Sequence, residues 1–591
     1  MMPPASALDG TTTTGGFLLV LSIVVPVAGV LLAFVLGDRY VRLAACATIP
    51  FGLTIAVAIL VALWESKSPI VYQLGDWAPP LGIALRADGL SAVMLAVTAV
   101  VISAVALFAI SDFSPATKVR TPFAFWTLLL AVWGALNTIF LGGDLFTLYV
   151  ALELLTFAAV PLVSLEGRAE TLRAGLRYLL FALLGSVLYL LGTALLYGMY
   201  GTLDTVLLSR HIGPEPAVLV AAALMTTGLL AKTALFPLHL WLPPAHAGAP
   251  APASAILSGL VVKGSFFIIV RLWFNVMPGL PGFAATQLLA ALGGAAIVFG
   301  SIVALRQERL KLLIAYSTLA QIGYLFLMFP LALGASGQLE SGGALAGGLL
   351  QAAAHATAKA AMFMAAGSIY AALGQDRISA LGGIGRILPI SIFAFALSGL
   401  ALMGLPPGGA YFAKELLLQA AADKGQWWWA VVLQAGGIFT AAYVVLVLMH
   451  AMAPANKRII LEGAAPRMRE MAALALALCS LSLGLVPWEA YLPVPHGIAS
   501  DKLDLGALSK MLLPIVGGVL AAILLGRWER PPVDQSYWRG RIMIFGPLRY
   551  SGLALGALVE RCDGALRQWP VACISLLTLA ALFGASMLAS L

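Results

Sequence analysis

Apolar residues run along this chain in long unbroken blocks, with neither the alternation of a strand nor the three-four stripe of a surface helix. Scanning with a window of about 19 residues predicts helical spans near 16–36, 43–64, 88–110, 122–142, 144–164, 174–200, 217–242 and 250–274. The series continues near 283–304, 311–333, 345–373, 388–421, 427–451, 468–487, 508–526 and 571–590. Each block approaches or exceeds the ~20 residues that cross a bilayer. The expected fold class is an all-α polytopic membrane protein.

Composition agrees with this pattern. Of 591 residues, 61% are hydrophobic and 10% charged, against roughly 25% charged in soluble domains. The opening MMPPASALDGTTTTGG lacks a basic n-region, so the first apolar run is expected to stay as a helix. There is no P-loop, no GxGxxG after a strand, no HExxH and no GxSxG. The four cysteines form no CxxC pair. The expected cofactors are therefore none, and no nucleic-acid partner is expected. Of the 34 lysines and arginines, 23 fall in or beside loops after odd-numbered spans and 7 after even-numbered ones. The positive-inside rule then predicts both termini outside, on the periplasmic face of a cell (inner) membrane.

The remaining four lysines, Lys232, Lys263, Lys359 and Lys414, lie inside apolar spans. An ionisable group at that depth is costly and usually marks an ion pathway. Lys232 and Lys263 flank a proline-broken middle, AKTALFPLHLWLPPAHAGAP, which carries His239 and His246. Such breaks survive only where protein or a wet cavity satisfies the freed backbone. Glu153, in LFTLYVALELLTFAAVPLV, is the expected partner of Lys232. An amine whose carboxylate approaches or withdraws is a switchable proton site; the plainer alternative is a fixed salt bridge. His355 and Lys359, four apart, share a helix face, where a histidine can pass a proton to a lysine. Packing or capping is the alternative for His239, His246 and His355. Lys414 follows a second break, LMGLPPGGAYFAKELLL, and Glu415 beside it points to another face. Asp144 is expected to cap a helix, and Trp427, Trp428 and Trp429 to anchor one at the interface.

Paired interrupted helices point to inverted repeats. The expected organisation is residues 1–115 as three leading helices, 116–275 as repeat one (helices 4–8) and 276–452 as repeat two (helices 9–13). Residues 453–591 follow as helix 14 and a C-terminal extension with an amphipathic segment and two further helices.

The segments ALELLTFAAVPLV, AKTALFPLHLWLPPAHAGAPAPASAILSGLVVKG, AHATAKAAMF and LMGLPPGGAYFAKELLL resemble the antiporter-like subunits of respiratory complex I. They are equally similar to the large subunits of Mrp-type cation/proton antiporters and of membrane-bound hydrogenases. The resemblance covers about residues 80–490. It implies a core of about 14 helices with two inverted five-helix repeats and broken helices 7 and 12, and proton-translocating roles for Glu153, Lys232, Lys263, His355, Lys359 and Lys414. It also implies other membrane subunits as partners, with no catalytic chemistry in this chain itself. Two departures stand out: Pro244 and Gly248 occupy places that are often acidic in the family, which weakens any role for His246. The segment RYSGLALGALVERCDGALRQWP is expected to lie on the inner surface as a helix of about 30 Å.

The leading expectation is a proton-translocating subunit coupled to a redox partner, of NADH:quinone or hydrogenase type. The alternatives are a subunit of an Mrp-type Na⁺/H⁺ antiporter or of a proton-driven inorganic-carbon uptake complex, and, from another class, a stand-alone transporter of an organic solute. An interior dominated by amines suits protons better than Na⁺, which needs oxygen ligands.

Overall fold

The computed structural model describes residues 11–113, 121–455, 461, 466–494, 512–523 and 554–589. Basic residues used in the orientation argument, among them Lys118, Arg120, Lys457, Arg458 and those of 524–553, lie outside the described residues. Among the described residues, 14 helices are long and apolar enough to cross a membrane.

The leading helices are α1 (Phe17–Leu36), α2 (Val41–Ser66) and α3 (Gly89–Ala109), with a hairpin pairing Ile70–Gln73 and Ala84–Ala87 between the last two. Then come α4 (Thr121–Leu141), α5 (Leu145–Val163), α6 (Ala169–Tyr200) and α7, which runs as Pro216–Thr233 and resumes as Leu242–Gly248. Next are α8 (Ala251–Val276), α9 (Phe283–Leu305), α10 (Leu310–Ala332) and α11 (Gly342–Leu373). Helix α12 is again divided, into Pro389–Met403 and Gly409–Asp423; α13 is Trp427–Met452 and α14 is Arg467–Ser482. The C-terminal part adds α15 (Leu512–Ile523), α16 (554–566) and α17 (Trp569–Leu588).

Burial orders these helices into a core and a rim. The most apolar stretch of α8 is wholly buried, whereas that of α1 is 28% buried. A lipid-facing helix gains nothing from hiding apolar residues, so small side chains and polar links mark the protein-facing ones. Helix α11 shows this: a Cβ at Gly367 would lie 2.3 Å from Ala251 Cβ of α8, so only glycine permits that approach.

Both divided helices break for local reasons. In α7, Ala234 turns left-handed (φ 59°) and Pro237 follows without a backbone N–H. The Trp241 indole N–H donates to the Ala231 carbonyl at 3.0 Å, beside the Ala234 N–H, and its ring stacks on Tyr178 at 4.1 Å. In α12, Gly404 turns at φ 80°, a conformation that favours glycine, before Leu405-Pro406-Pro407. Asp144 caps α5 as expected, accepting from Phe146 N and Thr147 N. Trp429 differs from its expected interfacial place: it is buried, and its Nε1 donates to Gln287 at 3.1 Å.

Asp88 fastens the outer edge of α3 to α8. It caps α3 through Ser91 N and receives both Arg271 nitrogens at 2.5 Å. Its side chain is still 37% exposed, so water screens the ion pair and the cap supplies about 1 kcal/mol. Desolvation alone would raise the Asp88 carboxyl, but Arg271 and Ser91 outweigh it and hold it below the usual range. A depressed carboxyl stabilises the fold above its unfolded value near pH ~4 and loses that contribution as pH falls through the folded value. Asp88→Asn should therefore lower the thermal midpoint at pH 7, with the deficit shrinking below about pH 4.

Candidate functional site

The buried charges begin at a three-helix junction. Glu153 of α5 meets Lys232 at 3.2 Å, one residue before the end of the first half of α7. Lys232 Nζ also donates to Thr156 Oγ1 at 2.9 Å and to the Leu152 carbonyl at 3.4 Å. Ser186 of α6 donates to the same Glu153 oxygen, Oε1. The amine is thus wrapped by one carboxylate and two neutral oxygens. The next residue, Thr233, pairs with Ser265 of α8 at 2.9 Å, so polar contact continues toward the chain centre.

That centre is formed by α8, α10 and α11. Residues Leu257–Val261 of α8 form a π-helical turn, a feature frequent at functional positions. Lys263 folds back to donate to the Ser258 carbonyl in that turn, at 2.5 Å. The same Nζ lies 2.5 Å from His355 Nδ1 on α11. Two protonated groups at that separation would repel, so the contact joins an amine and an imidazole of which no more than one carries a charge. One turn along α11, Lys359 donates to Ser317 of α10, and its amine faces the Tyr443 ring at 5.9 Å. Lys263, His355 and Lys359 are all fully buried.

From Lys359 the line proceeds through neutral side chains that sequence inspection did not single out. Tyr443 of α13 lies within hydrogen-bonding reach of Ser317, Thr440 and Gln321. Gln321 Nε2 donates to Thr440 Oγ1 at 3.1 Å, and Gln351 Nε2 donates to Gln321 Oε1 at 3.0 Å. Gln351 and Tyr324 then line a cavity of about 10 Å³ shared with Lys414, about the least volume that holds one water. Lys414 has no hydrogen-bond partner among the described residues, and its Nζ lies 3.2 Å from where a Gly437 Cβ would be. Glu415 faces elsewhere, lining an open groove of about 890 Å³ with Gln434 and Trp427. Gln351→Leu would strand the Gln321 carbonyl at a cost of about 1–3 kcal/mol. The thermal midpoint should fall accordingly while the Glu153–Lys232 pair is spared.

The two histidines that follow the α7 turn make no hydrogen bond to these lysines among the described residues. His246 is fully buried, stacked on Phe363 at 4.7 Å, with neither ring nitrogen bonded among the described residues. His239 Nε2 donates to Asp563 at 3.1 Å, 324 residues away on α16. The expected surface helix of the C-terminal segment is thus a helix that sends a carboxylate into the core. Lys311 opens the expected span 311–333 and counts among the basic residues in or beside loops. It is 6% exposed instead, donating to the Ala249 carbonyl at 3.2 Å and facing the Tyr370 ring.

A row of amines, a glutamate and a histidine between two broken helices defines the antiporter-like class of membrane subunit. The chain belongs to the NADH:quinone oxidoreductase/Mrp antiporter transmembrane family, whose pattern matches residues 142–440. It is 32% identical to an NADH-quinone oxidoreductase subunit N from Desulforudis audaxviator, over 84% of this chain and 93% of that one. It is 30% identical to a subunit of the Na(+)/H(+) antiporter from Alkalihalophilus pseudofirmus, over 68% of this chain and 79% of the relative. Among solved structures, a chain of the Mrp complex from Dietzia sp. DQ12-45-1b superposes with a TM-score of 0.71 at 25% identity, covering 87% of this chain and 99% of that one.

Proposed function

We propose that this chain is the proton-translocating subunit of a multisubunit membrane complex, and that protons pass along Glu153, Lys232, Lys263, His355, Lys359 and Lys414, with His239 of the α7 break also taking part. The observation that carries the reading is the Lys263–His355 contact at 2.5 Å in a fully buried setting. A buried amine in direct contact with a buried imidazole gives a relay its middle step, whereas a structural cation would be paired with an acid. The end groups differ in kind: Lys232 has a carboxylate and Lys414 has a cavity. A proton shift at one end therefore changes the electrostatic cost at the next. The two broken helices support inverted repeats over 116–275 and 276–452, and the loop charge supports both termini on the outer side.

The driving partner we favour is a redox module, because the NADH-quinone oxidoreductase relative is matched over nearly its whole length. The Na(+)/H(+) antiporter relative supports an Mrp-type assembly as the second reading. Purifying the complex through a tag on this chain and sealing it into vesicles with an internal pH dye separates the two. Acidification driven by a reductant and indifferent to Na⁺ supports the first. Proton flux that requires an opposed Na⁺ gradient supports the second, and no proton flux under either drive rejects translocation.

A further inference from the structure

The α7 break, Phe236 to Gly248, contains two histidines and no acid. A carboxylate nevertheless reaches it. Asp563 of α16 has a side chain 4% exposed and accepts from His239 Nε2 at 3.1 Å and from the Tyr316 hydroxyl of α10 at 2.6 Å. Arg567, just past the end of α16, pairs with the same carboxylate at 2.8 Å. Each oxygen of Asp563 therefore has a donor or cationic partner, and the His239 ring is fixed by one edge. The opposite edge, His239 Nδ1, is buried and has no partner among the described residues.

The rest of the arm holds this contact in place. Glu560 pairs with Arg306 at 2.8 Å at the end of α9. Trp569 lies against Phe181 of α6 at 6.3 Å, and α17 then packs along the first half of α7, the half that carries Lys232. A carboxylate on one imidazole nitrogen sets the tautomer and orientation and steadies the ring when the other nitrogen takes a proton. A merely adhesive arm would not need an acid buried against a histidine, because desolvating that pair offsets much of its attraction.

We propose that Asp563 is a positioning residue for proton transfer, with the C-terminal arm supplying the orienting acid that the α7 break lacks and His239 Nδ1 as the proton-accepting atom. The titratable and charged groups of this cluster are Asp563, Arg567 and Glu560 from the arm, Tyr316 from α10 and Arg306 from α9, with Phe236 and Phe299 against the ring. Outside the membrane spans, burial would raise the Asp563 carboxyl, but His239, Arg567 and Tyr316 outweigh it and keep it below the usual carboxylate range. The acid therefore stays an acceptor for the His239 ring.

The inference rests on the translocation reading above, and the experiment separates the two. Proton flux is measured from pH 5.5 to 8.5 in vesicles holding the intact complex, comparing Asp563→Asn, Asp563→Glu, His239→Gln, the Asp563→Asn/His239→Gln double variant and Lys263→Ala. We expect Asp563→Asn to cut flux about tenfold and move the acid limb of the profile to lower pH, with Asp563→Glu restoring much of both. In the His239→Gln background, Asp563→Asn should have no further effect, since both act at one step. Full flux and an unmoved profile in Asp563→Asn, or losses that add in the double variant and follow the thermal midpoint, would overturn the role and leave Asp563 as adhesion. If Lys263→Ala also kept full flux, the translocation reading itself would be at fault.

Discussion

Lys263→Ala should abolish proton translocation while the complex still assembles. Lys263 is fully buried on α8, and among the described residues its amine hydrogen-bonds to a carbonyl in the π turn and to His355 Nδ1. Removing it takes away the hydrogen-bond partner of His355 Nδ1, so the relay loses its middle. The loss of flux should exceed about tenfold, equivalent to ~1.4 kcal/mol or more on the limiting barrier. Assembly should survive, because the change removes a buried cation and does not strand an anion. The check is flux from purified complex of equal subunit content, with His355→Ala run beside it. Flux retained in both variants would take this pair out of the path.

Lys232→Ala should have an effect of similar size and a different cost. Here the variant leaves Glu153 with Ser186 as its remaining side-chain partner, and breaking a buried pair costs about 3–5 kcal/mol unless the acid takes up a proton. Glu153→Gln removes the acid and leaves Lys232 on Thr156 and the Leu152 carbonyl. If the pair is a working gate, both single variants lose flux, and Lys232→Ala/Glu153→Gln recovers thermal stability but not flux. If it is only a brace, the double variant recovers both. Thermal midpoints and flux measured on the same preparations distinguish the outcomes.

Much of this site was legible in the sequence because charge in an apolar block is conspicuous. Four lysines, Glu153 and the His355–Lys359 spacing stood out against helices otherwise nearly free of charge, and the proline breaks located Lys232 and Lys414 relative to helix ends. Pairing Glu153 with Lys232 needed only the physics of buried ions, and the two atoms lie 3.2 Å apart. The neutral link to Lys414 was not legible. Gln321, Gln351, Thr440 and Tyr443 are ordinary polar residues in sequence, and only the packing of α10, α11 and α13 brings them together. Asp563 was missed for a related reason. In VERCDGALRQWP it reads as one charge on a solvated helix face, and no periodicity reveals a contact across 324 positions. Lys311 was misplaced because hydropathy cannot tell a helix end at the membrane surface from one covered by protein. Trp429 was misplaced alongside Trp427 and Trp428 because adjacent residues on a helix face different surroundings.

The central claim is that these amines work by gaining and losing protons and not merely by being positive. Lys232→Arg tests it most directly. Arginine keeps the charge and can hold Glu153 in two hydrogen bonds, yet it does not give up its proton in a protein. With the complex assembled and sealed in vesicles, proton flux under its natural drive should fall to the background of empty vesicles. Flux at the unsubstituted level, with arginine shown to be in place, would mean that a fixed positive charge suffices at that position and that no proton passes through it.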